Sequence, residues 1–137
     1  MPALEYVAGE SMTSSEFSAN PEQNWPWPES PDAPVAAPDH HAILFENEEV
    51  RVIRTRVLPG HLVPLHTHRW PCVLFILSWS HLLRRNHLGG VTLDTRQEIE
   101  VPNLNMPIWQ DPLPPHSLEN AGGTEINTIL VEIKTTR

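Results

Sequence analysis

The sequence contains a single cysteine, Cys72, in 137 residues. That excludes an internal disulfide and fits a reducing compartment. No apolar run is long enough to cross a bilayer as a helix, because Val73-Leu74-Phe75-Ile76-Leu77 is soon interrupted by Ser78, Ser80 and His81. The start, Met1-Pro2-Ala3-Leu4-Glu5-Tyr6, lacks the basic region and apolar run of a secretory signal. A soluble cytoplasmic protein with no membrane partner is the expectation. Lysines and arginines number only nine against seventeen acidic residues and nowhere form a patch, so nucleic acid is not expected to bind. A phosphate-binding glycine loop, a nucleophile–base pair and a nucleotide signature are all missing. Helical periodicity is missing too.

What is present falls into two parts. Residues 1–39 carry seven acidic side chains and no lysine or arginine, and residues 1–38 hold seven of the fifteen prolines. Such a composition cannot bury enough apolar surface to offset backbone entropy, which predicts an extended or disordered acidic, Pro-rich arm over residues 1–39. Within it, Trp25-Pro26-Trp27-Pro28 is either an anchor that docks on the domain or on a second subunit, or part of a flexible leader. Residues 40–137 contain ten acidic and nine basic side chains, so the net charge of −8 belongs to the arm. Their length suits one domain.

That domain reads as strands. The longer candidates are Val50 to Val57, Leu62 to His68, Cys72 to Leu83 and Glu125 to Lys134. The shorter are Ile43-Leu44-Phe45, Val91 to Asp94, Glu98 to Val101, Pro107 to Trp109 and Pro115 to Glu119. Pro59-Gly60 and Gly89-Gly90 mark turns. Many short strands over roughly 100 residues predict an all-β antiparallel barrel or jelly roll.

His66-Thr67-His68 lies on one of these strands. Side chains at i and i+2 share a face, so His66 and His68 point the same way. His116, on a strand near the other end of the domain, would complete three neutral imidazoles, a common way to hold zinc, iron, copper or nickel. His40, His41, His61, His81 and His87 fall outside this spacing and are not assigned to a metal. Asn120 reads as structural, closing a turn before Ala121-Gly122-Gly123.

These residues carry a resemblance. Gly60-x5-His66-x-His68 resembles the first half of the first cupin motif, G-x5-H-x-H-x3,4-E-x6-G, and Pro112 to Asn120, with His116-x3-Asn120 inside it, resembles the second, P-x-G-x2-H-x3-N. The resemblance covers residues 42–134. It implies a cupin jelly-roll β-barrel whose metal sits near one mouth, held by His66, His68 and His116, with a glutamate as fourth ligand. Cys72 stands where that glutamate is expected, and Trp79 and Leu113 replace motif glycines. Three roles are open to Cys72. It is a thiolate ligand, a thiol beside an open three-histidine site like that of the thiol dioxygenases, or a small buried apolar residue.

Around the site, Trp70 and Trp109 are candidates for the pocket lining, and Arg54 or Arg56 for pairing with a substrate carboxylate. Core tryptophans and surface arginines are the plainer alternatives. The expected cofactor is a divalent transition metal, one of iron, zinc, nickel, manganese and copper. The expected partners are a small-molecule ligand or substrate and a second copy of the chain. Three functions remain open: a metal-dependent oxygenase acting on a small organic molecule, a non-catalytic small-ligand or metal-binding cupin, and a degenerate barrel with a role in assembly.

Overall fold

Alternation of inward and outward side chains organises this chain, as the computed structural model shows for residues 31–134. Residues 1–30, with most of the predicted arm and Trp25 to Pro28, lie outside the described residues. Among the described residues, nine strands follow one short helix, α1 (Ala33–Ala36). They are β1 (His41–Glu46), β2 (Val50–Val57), β3 (Leu62–His68), β4 (Cys72–Ser78), β5 (Leu82–Asn86), β6 (Val91–Asp94), β7 (Ile108–Gln110), β8 (Leu113–Asn120) and β9 (Ile126–Ile133). They form two antiparallel sheets, ordered β1-β2-β9-β4-β7 and β3-β8-β5-β6. The all-β jelly roll expected from the sequence is the observed architecture.

The period of two fixes which residues meet inside. On β9, Ile126, Thr128, Leu130 and Glu132 are buried while their neighbours are half-buried, and on β4 the buried row is Cys72, Leu74 and Ile76. On β2 the inner row is Arg51, Ile53, Thr55 and Val57, so Arg54 and Arg56 stand on the outer face. The apolar members of these rows merge into one core with Val63, Leu82, Leu93 and Ile108.

Three strand boundaries differ from the sequence reading. The apolar run Cys72 to Leu83 is two strands in different sheets, because the chain turns a corner at Trp79-Ser80-His81. Thr124 Oγ1 donates to the Trp79 carbonyl at 2.6 Å there, and the Ala121 amide to the His81 carbonyl at 2.8 Å. No proline or glycine in the run marks that corner; the small partner, Gly122, sits on the other segment, where a Cβ would lie 2.9 Å from the His81 nitrogen. Glu98 to Val101 forms no strand, and its isoleucine, Ile99, is 95% exposed, so no apolar face is there to be buried. The last short candidates are observed as Ile108–Gln110 and Leu113–Asn120.

Residues 31–39, part of the segment that composition assigned to the arm, lie against the barrel. Asp32 bridges to Thr67 in parallel, the Thr67 amide donates to the Pro31 carbonyl at 2.7 Å, and Ala33 and Ala37 are buried. Alanine permits this close approach. At the other end of β3, Gly60 takes φ +80° in the turn from β2. Asn120 braces that turn as a structural residue: its Nδ2 donates to the carbonyls of Val57 (2.9 Å) and Thr124 (2.8 Å), and its Oδ1 accepts from the Gly122 amide (3.0 Å).

Candidate metal centre

Strand pairing brings the predicted histidines together. His66 and His116 are direct partners across β3 and β8, and their ring centroids are 4.3 Å apart. His68 lies 5.0 Å from His66 and 5.5 Å from His116. A fourth imidazole joins them. His41, the first residue of β1, has its ring 4.8 Å from His66 and 5.5 Å from His68. The sequence reading left His41 unassigned, and its position depends on α1. The carbonyl of Ala37, at the end of that helix, lies 3.0 Å from His41 Nδ1 and fixes the ring.

The outer nitrogens of these rings are all engaged. His66 Nδ1 donates to the Pro64 carbonyl and His116 Nδ1 to the Pro114 carbonyl, each at 2.7 Å. A carbonyl oxygen only accepts, so Nδ1 carries the proton in His41, His66 and His116, and Nε2 keeps its lone pair. Nδ1 of His68 faces a carboxylate instead, with Glu132 Oε2 at 3.5 Å. Metal-bound imidazoles typically use their second nitrogen in this way.

Glu132 is fully buried and held in a charged chain. Arg51 Nε donates to its Oε1 at 2.7 Å, while Arg51 Nη1 and Nη2 donate to the two oxygens of Asp32 at 2.8 and 3.0 Å. Trp70 closes this cluster from outside, its ring 4.9 Å from the Arg51 guanidinium carbon. Burial of Arg51 opposes its charge, but the hydrogen bonds to Asp32 and the charge of Glu132 prevail and raise its pKa.

Burial keeps His41, His66 and His116 neutral. Desolvation first, and then the charge of His68, push His41 down to about 3. His66 and His116 lie well below the ordinary histidine value, chiefly through burial and then through neighbouring imidazoles; the Arg84 guanidinium adds to the effect on His116. Neutral imidazoles are what a transition metal requires. The candidate ligand atoms of His41, His66 and His68 all lie within 4.8 Å of one another. A tetrahedral zinc with bonds of about 2.05 Å separates its nitrogens by about 3.4 Å. His41, His66 and His68 approach that spacing, and neutral imidazoles are the donors such an ion takes, so these three residues fit a metal ion.

The histidines stand on the wall of a cavity of about 90 Å³ that runs among the inner rows. Most of the wall is apolar, from Val57, Leu74 and Ile76 to Leu118 and Leu130; Thr55, Arg84, Gln110 and Thr128 supply the other polar groups. The pocket residues expected from the sequence are elsewhere. Trp70 covers Arg51, and Trp109 is half exposed, donating from Nε1 to Asp111 at 3.0 Å. Arg54 Nε donates to Asn127 Oδ1 at 3.3 Å, and Arg56 pairs with Glu125 at 2.6 Å on the outer face. Alternation along β2 is the reason: the odd-numbered residues point inward, and these arginines are even-numbered.

No family model matches the sequence, and none of the curated proteins matches it. Among solved structures, a cupin domain from Bordetella pertussis Tohama I is similar, with a TM-score of 0.55 at 23% identity, over 69% of this chain and 92% of that one. The fold is that of a cupin. Two further structures are similar at lower scores. They are an RmlC-like cupin family protein from Methanocaldococcus jannaschii (TM-score 0.48, 11% identity, 68% and 77% covered) and an uncharacterized double-stranded β-helix protein from Klebsiella pneumoniae (0.47, 15%, 68% and 74%).

The cupin fold makes position 72 informative. Cys72 and Glu132 are direct partners across β4 and β9, both on the inner row. A carboxylate therefore stands one strand away from the place where the cupin motif carries its glutamate. Cys72 itself lies in the apolar core, 3.8 Å from Gln110 Nε2, outside the cavity wall. Burial, and then the charge of Glu132, push its thiol pKa up, which disfavours a thiolate. Cys72→Ala is expected to leave metal stoichiometry unchanged and to cost about 1–2 kcal/mol through lost packing. Elemental analysis and urea unfolding would check both, and loss of metal in this variant would contradict the placement of Cys72 in the core. The period-two row on β9, which sets Glu132 in line with Ile126 and Leu130, is the sequence signal that could have found this carboxylate. On β5, Leu82-x-Arg84 is the corresponding signal for Arg84.

Proposed function

We propose that His41, His66, His68 and His116 bind one divalent transition metal ion, and that the protein is a metal-dependent oxygenase of the cupin type acting on a small organic molecule in the adjoining cavity. One observation carries the reading. Three buried histidines direct Nδ1 to backbone carbonyls and a fourth directs Nδ1 to a buried carboxylate, so the lone pairs remain on the nitrogens turned the other way. An iron, zinc, nickel, manganese or copper ion held there would supply Lewis acidity or, for a redox-active metal, oxygen activation. The chain itself supplies a dry wall of leucine, isoleucine and valine that excludes water from the bound molecule.

Elemental analysis of protein purified without chelators tests this. About one equivalent of metal is expected, falling at least about tenfold in His66→Ala and His116→Ala and also in His41→Ala. Full occupancy in His41→Ala would restrict the ligands to the three histidines named from the motif spacing; no metal in the parent protein would overturn the proposal. Oxygen uptake with small thiols and carboxylates then separates the oxygenase from a second reading, a binding module without turnover. That second reading is favoured by the cavity wall, where among the described residues none but the histidines is suited to act as a general base at neutral pH.

The same proposal takes the protein to be a cytoplasmic homodimer. Among the described residues no helix is long and apolar enough to cross a membrane. The edge strand β1 leaves Ile43, Leu44 and Phe45 exposed, a surface that a second copy could cover. Light scattering at twice the chain mass is the expected result.

A further inference from the structure

We infer that the cavity takes a small uncharged carbonyl compound, whose oxygen accepts hydrogen bonds from Trp79 Nε1 and Thr55 Oγ1 in the wall. The inference deepens the proposed function by naming the substrate class of that cavity, and rests on that reading only for a small organic molecule being held there.

Trp79 stands at the corner between β4 and β5, where Thr124 Oγ1 donates to its carbonyl at 2.6 Å. Its ring packs against the apolar core and lines the cavity. An indole N–H only donates, and this one is buried with no hydrogen-bond partner among the described residues. Thr55 Oγ1 is buried and unpartnered in the same way, and its side chain lines the same cavity. Buried polar atoms are normally satisfied, so two orphaned donors on one wall point to a group that satisfies them. Strand register brings the two to the same part of the barrel. Thr55 pairs with Thr128 on β9, and Thr128 with Ile76 on β4, three residues before Trp79. On its other side Thr55 pairs with His41 on β1, so a ligand held by Thr55 lies beside the histidine cluster.

Two donors call for an acceptor. A carbonyl oxygen has two lone pairs and takes both bonds, and it enters an apolar cavity at far less cost than a charged group does. The volume limits the rest of the molecule. A cavity of about 150 Å³ holds benzene, so about 90 Å³ accommodates on the order of five heavy atoms, the scale of a small ketone. Leu74, Ile76 and Leu130 on the wall fit its alkyl groups.

The test is titration of the full-length protein with acetone and with isobutene, the hydrocarbon of the same shape in which a methylene replaces the oxygen. Assigned proton–nitrogen correlation spectra follow the indole N–H of each tryptophan. Zinc-loaded and chelator-treated protein are both used, with metal content measured on every sample. Acetone is expected to move the Trp79 signal downfield in both preparations, and isobutene is not. Trp109, bonded to Asp111, and Trp70, whose buried N–H lies off the cavity wall, are expected to stay in place. Thr55→Val and Trp79→Phe are each expected to weaken acetone binding about five- to tenfold relative to isobutene. A Trp79 signal unmoved at every acetone concentration, as for an indole already bonded to a buried water, overturns the inference. So does an affinity ratio unchanged in either variant, or a response confined to the zinc-loaded protein. Should Trp79→Phe not fold, Thr55→Val and the parent spectra decide. Failure of the metal reading shows separately, as protein purified without metal.

Discussion

Glu132→Ala is expected to destabilise the chain by about 3–5 kcal/mol and to weaken metal binding by about 10- to 100-fold. The first effect follows from Arg51. This guanidinium is buried between Glu132 and Asp32, with bonds of 2.7 Å to one and 2.8 Å to the other, and removing Glu132 leaves its Nε without a carboxylate in the interior. Breaking one side of a buried pair costs far more than the pair contributes, because the remaining charge is still desolvated. The second effect follows from His68, whose Nδ1 lies 3.5 Å from the other Glu132 oxygen and which would lose its orienting group. Urea unfolding and metal titration measure the two effects independently. Glu132→Gln, which keeps the shape and removes the charge, is expected to fall between the parent and the alanine variant in both. Arg51→Leu combined with Glu132→Leu should be less destabilised than the sum of the two single changes, since only Asp32, whose side chain is 14% exposed, is left without its partner. A Glu132→Ala variant as stable as the parent, with unchanged metal affinity, would refute the role assigned to this carboxylate.

The contrast between His66 and Glu132 shows what the sequence could convey. His66 and His68 share a face by local geometry, so their spacing alone brings them together. His116 came from the second motif, and its pairing with His66 is a matter of register. Glu132 and His41 are different. Their places depend on which residues of distant strands lie opposite them, Cys72 for Glu132 and Thr55 for His41. Spacing along one chain segment carries no information about such pairs. The arginines show a second limit. Both rows of β2 mix apolar and polar residues, Arg51-Ile53-Thr55-Val57 against Val50-Val52-Arg54-Arg56, so alternation does not identify the inner face. Only the neighbouring β9, β4 beside it, and the histidine cluster determine that Arg51 is inside. On β9 one row is cleaner, and a glutamate in that row is a legible anomaly.

In the absence of metal, the chain is expected to lose stability steeply as the pH falls below about 6.5. The cause is the same burial that prepares the histidines for a metal. An unfolded histidine takes up a proton near 6.5, whereas folded His41 does so only near 3. Between those values the unfolded state holds more protons than the folded state, so stability rises with pH and falls with acid. At pH 5 the difference amounts to about 2 kcal/mol from His41 alone, at about 1.36 kcal/mol per pH unit. His66 and His116, also held below their ordinary values, act in the same direction. A domain stable by about 5–15 kcal/mol cannot absorb several such losses, and cooperative acid unfolding between pH 6.5 and pH 4 is the expected result. Metal binds only the neutral imidazoles, so it raises stability near pH 7 and makes the descent into acid steeper. Urea midpoints of chelator-treated protein at pH 7.5, 6 and 5 measure the slope. His41→Gln should remove about one proton from it without reversing its sign. A midpoint that stays constant from pH 7.5 to pH 5 would mean that the imidazoles are hydrated in the folded protein, and the dry histidine cluster would have to be abandoned.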